Sequence, residues 1–376
     1  MTALIQRSGP GRVQVDDRAL VNLASCDYLG LSGDPRVLAA AHQALDRWGL
    51  GSAAGRTLSG NTTLHRELEH RLAAWVGCED AVLHGSCWSA NAAVFGTLAA
   101  LDAQTGSATA VFSDRLNHAS IIDAIRTQRR TLSELVLYDH DDLDGLRRSL
   151  TAAAGEHTKV IVTDGVFSME GDQAPLADLC ALAGEFGAIL VVDDSHGTGV
   201  VGATGRGSGE AQGVLGRVDV LTGTLGKALG GAIGGFVAGS ASFTAALRKH
   251  SRPYLFSNNP PPAMVAGALA ALDVLENDAE PLAVLRARVR QLRDGVARLR
   301  LTTYEGDHPI VPIILGDEDR AAAVSTALLD EGVFTTPLRF PMVPRGTARL
   351  RLQVSAAHSA TAIDQVLGAL ARHAQD

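Results

Sequence analysis

The sequence predicts an α/β protein with a mostly parallel central sheet and a smaller C-terminal α+β domain. Over roughly 180 residues, short apolar runs alternate with amphipathic helical patterns, as in strand-helix-strand units with right-handed crossovers. After three prolines at 260–262, the pattern changes to longer helical segments. The 376 residues allow a large core and a second domain. We expect an N-terminal segment (1–45) that packs with the small domain, a large domain (46–260) and a small domain (261–376).

The spacing of apolar residues predicts the individual elements. Leu64, Leu68, Leu72 and Trp75 share one helical face, so the segment 62–75 is predicted to be an amphipathic helix. Short continuous apolar runs are typical of strands that are buried on both faces. Such runs lie at 81–83, 108–112, 160–162, 188–192 and 218–221. Further helices are predicted at 176–186, 263–277 and 285–299, and further strands at 310–315 and 349–354.

Composition and charge exclude several classes of protein. A formal net charge of -8 gives no support to nucleic-acid binding. The four cysteines have no metal-site spacing and indicate no disulfide framework, so a reducing cytoplasm is the expected location. No segment resembles a signal peptide or a membrane-spanning helix, and no internal repeat is present.

The most informative motif is the glycine-rich run TGTLGKALGGAI at 222–233, which places Lys227 directly after an apolar run. A lysine removed from water has a lowered pKa, and its neutral amine can form a Schiff base with an aldehyde such as pyridoxal phosphate. Glycines around a lysine also occur in phosphate-binding loops and turns, and a lone lysine is commonly a solvated surface charge. The other motifs decide between these interpretations.

Pyridoxal phosphate needs an anion at its ring nitrogen, a donor at its phenolic oxygen and a cradle for its phosphate. Asp193 and His196 follow the apolar run at 188–192, and ligands of α/β sheets bind at such carboxyl ends of strands. We expect Asp193 to hold the pyridinium proton and His196 to bond the phenolate. The alternative for this segment is an Asx turn with a solvated histidine.

Further cofactor contacts are predicted at other strand ends. His118 lies at a strand-to-helix turn, where an imidazole can stack on an aromatic ring, cap a helix or simply pack. Ser168 can contact the cofactor oxygen or merely close a turn. The segment 84–91 precedes a helical stretch, whose amino end favours an anion such as a phosphate. Thr224 and the pair Ser257 and Asn258 are further candidates for phosphate contact.

Eight sequence blocks, in order, resemble the α-oxoamine synthases, which are pyridoxal phosphate enzymes of fold type I with an aspartate aminotransferase-like fold. This family includes 8-amino-7-oxononanoate synthase, 2-amino-3-ketobutyrate CoA ligase, 5-aminolevulinate synthase and serine palmitoyltransferase. The resemblance extends from Asn22 to the end of the chain. The blocks are DYLGLS from Asp27, GRTLSGNTTLHRELE from Gly55, LNHASIID from Leu116, TDGVFSMEGD from Thr163, VDDSHGTGVVG from Val192, TGTLGKALGG from Thr222, RPYLFSN from Arg252 and VPRGTARLRLQVSAAH from Val343.

The resemblance implies a role for each matching residue. Lys227 carries the Schiff base, Asp193 pairs with the pyridine nitrogen, His196 bonds the phenolic oxygen and His118 stacks on the ring. The remaining roles are Ser168 near the phenolic oxygen, Thr224 at the phosphate, Cys87 and Trp88 in the phosphate loop, and Ser257 and Asn258 contributed across a homodimer. Arg351 matches the arginine that binds the amino-acid carboxylate, a task that suits a guanidinium fork. Arg349 is expected to be a surface charge at a strand edge.

The chain departs from the family pattern in two places. Cys26 occupies a position where the family usually has asparagine, and a thiol cannot replace an amide in bonding a carboxylate. Cys26 therefore bears on the choice of amino acid. The region before Asn22 is short, so the N-terminal helix of many members is expected to be trimmed.

The resemblance implies a decarboxylative condensation of a small amino acid with an acyl thioester, which yields an α-amino ketone, carbon dioxide and a free thiol. We favour alanine and a pimeloyl thioester. The alternatives are glycine C-acetyltransferase activity, a specialised synthase that uses an acyl carrier protein, and a fold type I aminotransferase. A non-enzymatic ligand sensor built on this fold is disfavoured, because such regulators carry a DNA-binding module.

Overall fold

The structure is a computed structural model that describes residues 5–15, 17–153 and 158–375. Within these residues, packing divides the chain into two compact units. The large unit comprises Arg36–Phe167 and Gln173–Asp273, and the small unit comprises the residues up to Pro35, Ser168–Asp172 and the residues from Val274 onward. The domain boundaries at 45 and 260 stay a prediction. Among the described helices, none combines the length and apolarity that crossing a membrane requires.

The elements are numbered in chain order. The strands are β1 Arg7–Gly9, β2 Arg12–Val15, β3 Arg18–Asn22, β4 Asp80–His84, β5 Thr109–Asp114, β6 Glu134–Tyr138, β7 Thr158–Asp164, β8 Ile189–Asp193, β9 Val220–Thr224, β10 Gly235–Gly239, β11 Ile310–Gly316, β12 Val333–Phe334, β13 Pro337–Leu338 and β14 Ala348–Gln353. The helices are α1 Pro35–Trp48, α2 Thr63–Val76, α3 Cys87–Thr105, α4 Ala119–Thr127, α5 Leu143–Ala152, α6 Leu176–Phe186, α7 Ser208–Ala211, α8 Ala241–His250, α9 Arg252–Phe256, α10 Pro262–Asn277, α11 Glu280–Arg298, α12 Glu318–Asp330 and α13 Ala360–His373.

The large unit is built on a seven-stranded sheet in the order β4-β10-β9-β8-β7-β5-β6. Strands β5 to β9 are parallel, and β10 runs antiparallel to both of its neighbours. The register pairs Asp164 with Asp193 and Asp193 with Thr222. The carboxyl ends of β7, β8 and β9 therefore meet at one edge of the sheet, which confirms the predicted mostly parallel α/β architecture.

Both faces of this sheet are buried, because alternate strand residues point to opposite sides. On one face, Val111, Val162, Val191 and Val220 pack in a core cluster with apolar residues of α3 and α4. On the other face, the side chains of strands β5, β7 and β8 are fully or almost fully buried as well. These are Phe112, Ile161, Leu190 and Val192.

The predicted helices form, with differences at their ends. Helix α2 begins at Thr63 because the Thr62 hydroxyl accepts a hydrogen bond from the amide of His65, and its Leu68, Leu72 and Trp75 are buried. Helix α11 begins at Glu280, five residues before the predicted start at 285. Pro281 lies in the first turn, where backbone N–H groups have no intrahelical partner. Its missing N–H group therefore costs no hydrogen bond, and the helix can begin before the proline.

The small unit contains two sheets. One has four strands in the order β1-β2-β3-β12, and the other has three antiparallel strands in the order β11-β14-β13. The predicted strands at 310–315 and 349–354 correspond to β11 and β14, so these two elements are confirmed. The sequence prediction missed the N-terminal strands β1 to β3, and it missed β6 and β10 in the large unit. Strand β10 begins and ends with glycine, which obscures the usual strand pattern.

A buried ion-pair cluster in the large unit centres on Glu69 of α2, whose side chain is fully buried. Its Oε1 lies 2.8 Å from Arg56 Nη1 and accepts a hydrogen bond of 2.9 Å from the amide of Leu83 in β4. Its Oε2 pairs with Arg66 and lies 3.5 Å from Arg248 Nη2. The carboxylate thereby links α2, β4 and α8.

We expect Glu69→Gln to destabilise the protein by about 3 to 5 kcal/mol, because it leaves the buried Arg56 guanidinium without a counter-charge. The free energy of unfolding is measured by urea denaturation. The control is Glu185→Gln, which removes an exposed ion pair with Arg147 and should cost less than about 1 kcal/mol. Equal losses in the two variants would contradict this account of Glu69.

Candidate active site

Asp193 ends strand β8, and its carboxylate is almost fully buried. Asn91 Nδ2 donates to Oδ2 at 2.7 Å, and the amide of Ser195 donates to Oδ1 at 3.1 Å. The Cys87 thiol lies 3.5 Å from Oδ2. These donors compensate the carboxylate for the water it has lost, as a buried anion requires.

Asn91 joins this carboxylate to the neighbouring strand and to α4. Its Oδ1 accepts a hydrogen bond of 2.8 Å from the Thr222 hydroxyl, and its Nδ2 also donates to Ser120 Oγ at 2.8 Å. Ser120 Oγ in turn lies 2.7 Å from His118 Nδ1. A continuous hydrogen-bonded chain therefore connects Thr222, Asn91, Asp193, Ser120 and His118. The sequence analysis assigned no role to Asn91.

The adjacent Asp194 has a different, structural environment. Its Oδ1 accepts from Ser208 Oγ at 2.6 Å, and its Oδ2 accepts from Thr198 Oγ1 at 3.0 Å. Burial raises its pKa to about 6, although these hydrogen bonds act in the opposite direction. A Cβ built on Gly197 would lie 2.1 Å from Asp194 Oδ1, and one built on Gly207 would lie 2.0 Å from Asp194 Oδ2. Only glycine therefore fits at these two positions. Asp194 thus anchors the loop that follows β8.

Lys227 lies three residues beyond the end of β9 and is partly buried. Its ammonium is close enough to two buried groups to influence their ionisation. Burial and the neighbouring Asp193 raise the pKa of the Cys87 thiol well above its usual range, and the charge of Lys227 acts in the opposite direction. Burial and the neighbouring Asp193 also raise the pKa of Asp164, and the charge of Lys227 again acts in the opposite direction. The amine, Asp193 and Cys87 therefore share one electrostatic environment.

The amino end of α3 borders this group. Ser86 caps the helix by accepting from the amide of Ser89, and Cys87 and Trp88 form its first turn. A Cβ built on Gly235 would lie 2.3 Å from Cys87 N, so only glycine allows β10 to pass this close to the helix start. The partial positive charge of a 19-residue helix favours an anion at this position.

The predicted histidines occupy the two loops beside this helix. His118 is exposed, caps α4 by accepting from the amide of Ser120, and packs edge-to-face against Trp88 at 6.3 Å between ring centroids. This cap fixes the start of α4 at Ala119. His196 is buried in the turn that follows β8.

The remaining predicted contacts of the large unit lie in turns. The Thr224 hydroxyl donates to the carbonyl oxygen of Gly234 at 3.2 Å and accepts from the amide of Gly226 at 3.0 Å. Ser257 and Asn258 are exposed, and Asn258 forms an isolated antiparallel bridge with Gly55. The structure does not bring Ser257 and Asn258 into hydrogen-bonding contact with Lys227 or Asp193 among the described residues of this single chain.

The small unit holds the other predicted residues. Arg351 of β14 donates from Nη1 to the carbonyl oxygen of Ser168 at 3.0 Å and from Nη2 to Gln353 Oε1 at 2.9 Å. Its Nη2 also lies 3.7 Å from Cys26 Sγ. Ser168, Arg351 and Cys26 therefore form one cluster. Its fourth member, Gln353, was missed by the sequence analysis.

The expectation that Arg349 is a surface charge is wrong. Its side chain is fully buried, because β14 is the central strand of the three-stranded sheet. Nη1 pairs with Glu170 Oε1 at 3.0 Å and also donates to the carbonyl oxygen of Met169 at 3.1 Å. Arg349 therefore anchors the segment that carries Ser168.

Comparison with known proteins identifies relatives that cover nearly the whole chain. The family model for aminotransferase class I and II matches residues 18–370. The 8-amino-7-oxononanoate synthase of Anaeromyxobacter dehalogenans is 48% identical over 359 residues, which cover 96% of this chain and 87% of that protein. The 2-amino-3-ketobutyrate coenzyme A ligase of Escherichia coli is 42% identical over 359 residues, which cover 95% and 88%.

Solved structures share the fold. A Sphingomonas wittichii serine palmitoyltransferase matches with a TM-score of 0.93 and 31% identity, covering 99% of this chain and 92% of that chain. A structure of the same kind of enzyme with a pyridoxal phosphate internal aldimine matches with a TM-score of 0.92 and 32% identity, with the same coverage. The architecture is therefore that of the fold type I, aspartate aminotransferase-like enzymes. Within this class, the chain belongs to the aminotransferase class I and II family and to its α-oxoamine synthases, as the sequence predicted.

We expect Asn91→Leu to raise the apparent Kd for pyridoxal phosphate roughly tenfold or more, because it removes the side-chain donor to the buried Asp193 carboxylate. The measurement is a titration of the apoprotein with the cofactor, followed by absorbance. Asn91→Asp, which keeps the shape of the side chain, should bind the cofactor no better than the leucine variant, because it adds a second carboxylate. Wild-type affinity in the aspartate variant would mean that Asn91 serves packing alone.

Proposed function

We propose that this protein is a pyridoxal phosphate-dependent acyltransferase that condenses a small amino acid with an acyl thioester. Loss of carbon dioxide and thiol then leaves an α-amino ketone. The observation that carries the proposal is that Cys87, in the first turn of α3, lies 3.5 Å from the buried Asp193 carboxylate, and that the charge of Lys227 acts on the same thiol. A primary amine, a buried anion and an anion-binding helix end are the three groups that pyridoxal phosphate requires.

The residues of the large unit fit this cofactor. We propose that Lys227 forms the Schiff base, that Asp193 faces the ring nitrogen, and that the first turn of α3 with Cys87 and Trp88 binds the phosphate. Thr224 is proposed to be a further phosphate contact. When bound, pyridoxal phosphate supplies a protonated ring that stabilises negative charge at the Cα atom of the amino acid.

The remaining proposed roles belong to the side chains of this chain. Asp193, held by Asn91 and Ser195, keeps a proton at the ring nitrogen. With the cofactor bound, His118 would cover the ring face, and His196 and Ser168 would bond the phenolic oxygen. Lys227 Nζ removes the proton from Cα and later returns one, and Arg351 orients the substrate carboxylate by charge-assisted hydrogen bonds.

We propose alanine as the amino acid and a pimeloyl thioester as the acyl donor. The 48% identity to an 8-amino-7-oxononanoate synthase supports this choice over glycine, since the 2-amino-3-ketobutyrate coenzyme A ligase is 42% identical. Glycine with a short acyl-CoA is the second candidate, and an acyl carrier protein is an alternative carrier of the acyl group. An aminotransferase would release a keto acid and no thiol. The four free cysteines support a reducing cytoplasm as the location.

We also propose a homodimer in which the partner contributes Ser257 and Asn258 to the site. Three large apolar side chains near the Gly55–Asn258 bridge in sequence are strongly exposed in the single chain, namely Leu50, Leu58 and Phe256. If these side chains form one contiguous patch in the folded chain, such a patch is typical of a protein interface. Sedimentation analysis is expected to give the mass of two chains, and a monomer in the active preparation would contradict the proposal.

The test of the proposed activity is release of free coenzyme A from pimeloyl-CoA in the presence of alanine or glycine. We expect release with alanine, together with equal amounts of carbon dioxide. Formation of a keto acid without release of thiol would instead identify an aminotransferase.

We expect Lys227→Ala to abolish both thiol release and the visible absorption band of the bound cofactor, because no other amine replaces Nζ in the site. The chain offers matched controls, since Lys159 and Lys249 are its only other lysines. Lys159→Ala and Lys249→Ala should keep both signals. An intact absorption band in Lys227→Ala would refute the assignment.

A further inference from the structure

A cluster in the small unit joins three side chains around one oxygen atom. Gln353 Oε1 accepts a hydrogen bond of 2.8 Å from the Cys26 thiol and one of 2.9 Å from Arg351 Nη2. Arg351 Nη2 lies 3.7 Å from Cys26 Sγ, so the three groups form a closed triangle. The Gln353 side chain is buried, whereas Cys26 and Arg351 are partly exposed. The cluster therefore joins the buried side chain of Gln353 to a partly exposed guanidinium and a partly exposed thiol.

The chemistry of the donors determines which end of Gln353 faces this cluster. A guanidinium has donors only, so the atom of Gln353 that approaches Arg351 must be the carbonyl oxygen. The Cys26 thiol donates to the second lone pair of the same oxygen. Among the described residues, both side-chain hydrogen bonds of Gln353 are made by Oε1. The amide nitrogen Nε2 thus keeps its two protons for another acceptor.

Arg351 is also held from its other side. Nη1 donates to the carbonyl oxygen of Ser168 at 3.0 Å, and Nη2 donates to Gln353. Two anchors on different nitrogens fix the plane of the guanidinium fork. A side chain that is already ordered loses less conformational freedom when it binds a ligand, which favours a carboxylate in a single orientation.

We propose that Gln353 is a positioning and specificity residue for the carboxylate of the amino-acid substrate. Its Oε1 holds Arg351, and its Nε2 donates an additional hydrogen bond to the carboxylate. Cys26 orients Gln353 by occupying the second lone pair of Oε1. The inference rests on the proposed function of Arg351. An amino-acid ester or amide lacks the negative charge that this donor set recognises.

The test is an absorbance titration of the cofactor-loaded enzyme with alanine, glycine and their methyl esters, without an acyl donor. The wild type is expected to bind the free acids more tightly than the esters. In Gln353→Leu, the Kd for the acid should rise roughly tenfold or more, with little change for the ester. The absorption band of the bound cofactor should stay intact, which shows that the variant has folded.

Gln353→Glu separates recognition from packing. It keeps the shape of the side chain but places a negative charge against the substrate carboxylate, so its affinity for the free acid should be at most that of Gln353→Leu. The control is Gln365→Leu, which changes an exposed glutamine on α13 and should match the wild type.

Wild-type affinity for the free acid in Gln353→Glu would overturn the assigned role of Gln353. Equal losses for acid and ester in Gln353→Leu would overturn it as well. A wild-type enzyme that responds to none of these ligands would overturn both this inference and the proposed function. Failure of the role assigned to Gln353 is therefore distinguishable from failure of the proposed function.

Discussion

A carboxylate buried at the end of β8 is the constraint on which the rest of the large unit depends. An anion removed from water must be surrounded by donors, and Asp193 obtains them from Asn91 and the amide of Ser195. The donors come from α3 and from the loop after β8, so the parallel sheet and its crossover helices must be in place first. The same arrangement brings the amino end of α3 beside the acid. The packing that forms the fold therefore also forms the candidate site.

The protein contains other buried acids, and their surroundings separate structural from chemical roles. Glu69 is neutralised by arginines and by the amide of Leu83, and Asp194 is enclosed by hydroxyl donors and glycines. Both groups have their bonding capacity filled by the protein itself. Asp193 differs because it lies beside the Cys87 thiol at the carboxyl ends of the parallel strands, and the charge of Lys227 acts on that same thiol. The contrast explains why adjacent aspartates in one motif serve different purposes.

Much of the architecture could be predicted from the sequence, because apolar periodicity determines which residues become buried. The helices at Thr63–Val76 and Leu176–Phe186 and the central parallel strands follow directly from that pattern. Strand β10 could not be predicted in the same way. It forms by antiparallel pairing with β4 and β9, and the apolar pattern of its own residues does not report that pairing. Helix starts at Ala119 and Glu280 depend on caps and on proline, which apolar periodicity does not report.

The candidate site was only partly predictable, for a physical reason. Motifs reveal residues whose chemistry is unusual for their position, such as Lys227 among glycines, but they do not reveal the partners that hold them. Asn91, Gln353 and the buried Arg349 act through hydrogen bonds to residues 102, 327 and 180 positions away. Long-range partners of this kind become visible only once the chain has folded. Arg349 was misjudged because the sequence pattern does not show that β14 is the central strand of its sheet.

The most direct measurement of the central claim is to reduce the cofactor-loaded protein with borohydride and to locate the attached mass by peptide mapping. Reduction converts a Schiff base into a stable secondary amine, so the mass marks the lysine that formed it. The account predicts that the mass lies on the peptide that contains Lys227 and is absent from the peptides that contain Lys159 and Lys249. Attachment to either of those lysines, or no attachment at all, would contradict it.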